Sequence, residues 1–148
     1  MLANVEASAI ATYLRSSRWT YPLVNAAHIL GIALLVGGVA PLDLRLLGFW
    51  PREPIVRLAA VLRPVAAAGA TLAILTGLLL FSSNAREYAA TGLFRLKMAL
   101  LALALINAAL HAGPSLPALP PARQRFAGAA SLGLWVAILV CGRMLGYL

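Results

Sequence analysis

Long apolar runs separated by short charged clusters set the pattern of this chain. No Asp, Glu, Lys or Arg occurs between Arg18 and Asp43, from Pro64 to Ala85, or from Met98 to Ala122. A fourth run, Phe126 to Gly142, is likewise uncharged and continues to Leu148 with Arg143 as its only interruption. About 20 helical residues cross a hydrocarbon core. The pattern therefore predicts four transmembrane helices at roughly 20–41, 62–82, 93–112 and 126–147.

Ahead of the first run, Leu2, Val5, Ile10, Tyr13 and Leu14 suggest a short helix lying at the membrane interface. Glu6, Arg15 and Arg18, together with the lack of a compact apolar core, argue against a cleaved signal peptide, so the first span is expected to be retained. The connections are short and polar: "LDLRLLGFWPREPIVR", "SSNAREYAATG" and "GPSLPALPPARQR", the last with four prolines that interrupt any helix. The expected fold is an all-α antiparallel up-and-down bundle of four transmembrane helices, with the interfacial N-terminal helix, in one integral membrane domain over 1–148.

Composition agrees with the pattern. The chain is 62% hydrophobic and 11% charged, against about 45–50% and about 25% in soluble domains. Its net charge of +8 does not indicate nucleic acid, because the 12 basic residues sit at helix ends and in loops instead of clustering on a soluble module. The lipid bilayer is the expected partner.

On the N-terminal side, called end A, lie Arg15, Arg18, Arg86, Arg95, Lys97 and Arg143; on end B lie Arg45, Arg52, Arg57, Arg63, Arg123 and Arg125. Setting aside Lys97 and Arg143 as intramembrane leaves the excess on end B. This orients both termini toward the periplasm or exterior. The single cysteine, Cys141, cannot form an internal disulfide.

His28 stands within an otherwise unionisable run, "NAAHILGIALLVGG". Counted by the helical rise per residue, it lies roughly 10 Å below end A, and His111 roughly 25 Å from the same end. The two are about 15 Å apart along the axis, too far to hold one haem between them within one chain. The same count brings Thr76 and Cys141 to the depth of His28, with Arg143, Met144, Lys97 and Met98 slightly nearer the end. Asn25, one turn before His28, shares its face.

Three readings follow. His28 with Cys141, Met98 and Met144 would make a soft metal site suited to copper as Cu(I). Alternatively, His28 contacts haem b or a quinone while Lys97, Arg95 and Arg143 hold propionates or polar oxygens. In the third reading His28 hydrogen-bonds Asn25, Thr76 or a backbone carbonyl and only locks the packing, the protein being a structural subunit of a membrane complex. Lys97 can snorkel to the interface, and Asn107, near mid-helix, needs a polar partner. Asp43 and Arg45 are expected in an interfacial salt-bridge network with Arg63.

Small residues on the fourth span, the Gly142–Gly146 pair and the stripe Gly128, Ser131, Trp135 and Gly142, offer a surface for helix contacts and for a homo-oligomer. There is no Ser-His-Asp set, intramembrane carboxylate pair or phosphate-binding glycine loop. An enzyme is not expected unless a redox cofactor supplies the chemistry.

In order, "HILGIALLVGG", "RLAAVLRPVAAAGATLAILTGLLLF", Tyr88 and "FRLKMALLALALINAAL" resemble the core of the CopD-like (copper-resistance D) membrane domain. "WTYPLVNAAHILG", "LDLRLLG", "SLGLW" and "GRMLGY" are similar to a family of uncharacterised bacterial four-span proteins. The CopD-like resemblance covers most of the chain and implies copper handling in the inner membrane, with His28, Thr76, Lys97 and Asn107 as the residues carried over. The chain departs from that family in having only four spans and no Met-rich or His-rich extramembrane segment.

Overall fold

The computed structural model describes residues 2–111 and 118–147. These form α1 (Leu2–Glu6), α2 (Ala9–Ser16), α3 (Thr20–Leu47), α4 (Ile55–Ser83), α5 (Ala85–Ala90), α6 (Gly92–His111) and α7 (Pro121–Met144), closed by a 3-10 turn at Leu145–Tyr147. Four segments, α3, α4, α6 and Pro121–Tyr147, are long and apolar enough to cross a membrane.

Three of them are longer than the pattern predicts, the last because it begins at Pro121. Pro41 and Pro64 lie inside α3 and α4 without ending them, so α3 continues to Leu47 and α4 begins at Ile55. The chain breaks instead at Gly48, whose φ of 110° closes α3. There the Gly48 N–H bonds to the Arg45 carbonyl and Phe49 N–H to the Leu44 carbonyl. Glycine adopts that left-handed conformation without a Cβ clash, so it, and not proline, sets the boundary. The first long connection shrinks to 48–54. Positions 112–117, including much of the proline-rich connection, lie outside the described residues, as does Leu148.

α3 packs most extensively against α4, and α7 packs against both α3 and α6. The α3–α4 seam is built on missing side chains. A Cβ on Gly31 would stand 2.6 Å from the Ala73 nitrogen, and one on Gly38 would stand 2.9 Å from the Leu62 carbonyl oxygen; one on Gly69 would collide with the Leu35 nitrogen. Close backbone approach is how helices associate where lipid offers no hydrophobic driving force. Ala104, Trp135 and Ile138 form the buried centre, with Leu35, Val39, Leu100, Leu101 and Leu134 around them.

α4 and α6 share only sparse contacts. Phe81 stacks on Phe94 at end A, with centroids 5.4 Å apart, and the Arg63 guanidinium donates to the His111 carbonyl at 3.4 Å at end B.

The N-terminal segment is two short helices instead of one. Ala11 and Leu14 on α2 are buried while Ile10 and Tyr13 are exposed. Arg15 fastens it by donating to the Ser83 carbonyl at 2.8 Å, and Glu6 pairs with Arg86 at 3.3 Å. The outer faces of the long helices carry Leu23, Leu30, Leu75, Leu78, Ile106, Leu110 and Val140, all exposed. Apolar surface on this scale marks contact with lipid or with partners.

Candidate functional site

α3 carries His28 on the helix face that also presents Leu35 and Val39, by helical periodicity. The ring lies over Gly77, where an added Cβ would come within 3.1 Å of its Cε1. Nδ1 is 2.9 Å from the Ala73 carbonyl oxygen and 3.0 Å from Thr76 Oγ1. A carbonyl only accepts, and the Thr76 hydroxyl gives its own proton to the Leu72 carbonyl at 2.6 Å. Both neighbours therefore demand a donor, which puts the proton on Nδ1. In the neutral ring Nε2 keeps its lone pair, with no protein hydrogen bond to it among the described residues. An Nδ1–H fixed by a carbonyl is the arrangement that orients metal-ligating histidines.

Lys97 of α6 is the second polar group here. It is half-buried and turned toward α7, its Nζ lying 3.5 Å from where a Cβ on Gly142 would stand. Its charge bears on both His28 and Cys141, and the one ion pair among the described residues is Glu6–Arg86, so no carboxylate neutralises it. Cys141 is a buried free thiol on α7. His28, Thr76, Lys97 and Cys141 thus gather in the end-A half.

The other sequence candidates lie elsewhere. Met98 and Met144 are 39% and 51% exposed. Asn25 is exposed and takes no part in holding the ring, which Ala73 and Thr76 hold instead. Arg143 stacks over the Tyr147 ring at 4.6 Å and donates to its hydroxyl at 2.5 Å, on the exposed surface. Asn107 is at the other end, donating to the Ala127 carbonyl at 3.4 Å as an α6–α7 tie. Among the described residues no three His, Cys, Asp or Glu side chains come together as a metal cluster.

Sequence reasoning allowed His28 a backbone carbonyl without saying which, and missed the Gly77 bed, because a missing side chain does not look chemical in isolation. The Thr76-Gly77 dipeptide was the available signal. It also misplaced Asp43, which forms no ion pair among the described residues. Arg45 donates to the Glu53 and Pro51 carbonyls and Arg63 to that of His111, while Asp43 turns inward and is only 4% exposed.

An open cleft of about 560 Å³ at end A is lined by Leu14, Arg15, Ser17, Arg18, Tyr21, Pro22, Ser83 and Asn84, and does not include His28. Beside it Tyr88 faces Tyr21; burial, then the proximity of Tyr21 and of Glu87, pushes the Tyr88 phenol up from its ordinary value.

Comparison with protein-family models, curated proteins and solved structures finds no match to this chain.

Proposed function

We propose that this chain is a small multi-pass membrane protein, an antiparallel bundle of four spanning helices in a bacterial inner membrane, that handles copper at His28. The observation that carries the reading is the ring's pinned Nδ1, which leaves a preoriented Nε2 lone pair within a half-buried polar group. Cu(I) accepts imidazole and sulfur donors, and Cys141 is the buried sulfur on the neighbouring helix that shares Lys97 with His28. Met98 and Met144 enter such a site only if α6 and α7 turn.

A specific feature favours a second reading. The unpaired Lys97 ammonium repels an added cation and attracts electron-rich oxygen, so haem b or a quinone, in a redox subunit, suits the same residues. His28 Nε2 would then meet the iron or accept a hydroxyl proton, with Lys97 donating to a propionate or carbonyl oxygen. Sparse α4–α6 contact gives a flat lipophilic group a route in from the bilayer.

The test is a visible absorption spectrum with parallel elemental analysis on detergent-purified protein, loaded separately with Cu(I) and with haem, wild type beside His28→Ala. Stoichiometric copper without a Soret band, lost in a variant that retains its helical circular dichroism, is the expected result. A Soret band lost in the same variant selects haem. Wild type that takes up neither, and a variant of unchanged assembly, would reduce His28 to a packing residue or leave the quinone.

A further inference from the structure

We propose that Asp43 is a reversible proton-binding site in the end-B half, independent of whatever binds at His28. Asp43 is the only aspartate of the chain and the only carboxylate within its four apolar helices; Glu6, Glu53 and Glu87 lie outside them. It sits where α3 and α7 approach closely: a Cβ on Gly128 would come within 2.8 Å of the Asp43 carbonyl oxygen. The Ser131 side chain of α7 faces its carboxyl. Oδ2 has no hydrogen-bond partner among the described residues and is shut off from the surface.

The charged and titratable side chains at this end are committed elsewhere or turned outward. On its own helix Arg45 donates to the Glu53 and Pro51 carbonyls. From α4, Arg63 donates to the His111 carbonyl, and Arg57 is exposed. On α6, His111 shares a hydrogen bond of 2.8 Å with the Asn107 carbonyl. On α7, Arg123 and Arg125 are exposed.

A buried carboxylate oxygen without a donor or a cation is costly, and an ionisable side chain inside a spanning helix marks a functional site by default. What can fill Oδ2 is limited by its surroundings. A hard cation such as calcium takes about six oxygens or more, whereas among the described residues Ser131 is the polar side chain that faces the carboxyl. A proton needs only the one oxygen. Its uptake from water forms an O–H bond at Oδ2 and removes the negative charge from the seam, and its release restores the carboxylate.

Because Asp43 is the sole aspartate, the wild-type protein reports on it without mutation. Protein carrying ¹³C at the aspartate side-chain carboxyl carbon, reconstituted in lipid vesicles, is titrated by solid-state NMR between about pH 5 and about pH 9, a range that spans the perturbed values of intramembrane carboxyls. The expected result is a single carboxyl signal that passes from the acid to the carboxylate position. A carboxylate signal at every pH, or an acid signal at every pH, overturns the proposal. So does a signal indifferent to pH that shifts on exchanging sodium for potassium, which would make the site one for a cation.

Discussion

α3 meets α4 along a seam from which side chains have been removed, whereas α4 meets α6 chiefly through an aromatic stack at one end and an arginine at the other. The candidate site straddles the two. Its histidine and both of its acceptors belong to the tight seam, so the ring is held by backbone that cannot shift without breaking helix packing. Its lysine belongs to α6, which α7 holds and α4 hardly touches. Rigid packing here orients a ligand atom, and loose packing leaves room for something to approach it.

The largest effect should come from filling the seam. Gly69→Leu forces a side chain into the Leu35 backbone and 2.7 Å from the Gly31 carbonyl oxygen. It should cost about 1–3 kcal/mol or more by overpacking. Thermal unfolding in detergent checks this against Gly133→Leu, where nothing stands within 4 Å and the midpoint should hold. If the two behave alike, the seam is not what fixes α3 to α4.

Thr76→Val isolates the orientation of the ring at nearly constant volume. It deletes one acceptor of the Nδ1 proton while Ala73 keeps the other, so the loss should be about 0.5–1.5 kcal/mol, or up to about tenfold in ligand affinity. Binding titration of whichever ligand His28 is shown to take measures it. An unchanged affinity would mean that the carbonyl alone sets the ring.

The smallest effect lies at the α4–α6 clamp, where Tyr88 joins Phe81 and Phe94. Its phenol is pushed up in the folded protein by burial and by Tyr21. The stability it contributes is therefore complete below the ordinary tyrosine range near about pH 10 and declines as pH rises through that range toward the higher folded value. Tyr88→Phe should flatten this alkaline decline in melting temperature. A decline of the same slope in the variant would assign it to other groups.

Much of the fold was legible because a spanning helix announces itself by length and by the absence of charge, properties read residue by residue. The four apolar segments, the depth of His28 and its company of Thr76, Lys97 and Cys141 all follow from counting residues along a helix of constant rise. Depth is one coordinate, however, and the direction of a side chain around its helix is another. Met98 and Met144 lie slightly nearer the end than His28 by this count, yet both are exposed. Asn25 shares its face by spacing, yet the ring bonds across to Ala73 and Thr76.

Asp43 and Arg45 sit two residues apart and look paired, but two such positions on a helix do not face each other. The sequence alone thus determined how many long apolar helices there are and that their surface suits lipid, because hydropathy is a local quantity. Which groups meet, which nitrogen of His28 is left free and which oxygen of Asp43 is left bare were decided by the tertiary structure. Those outcomes depend on how closely glycines let neighbouring backbones approach, and that distance belongs to pairs of helices.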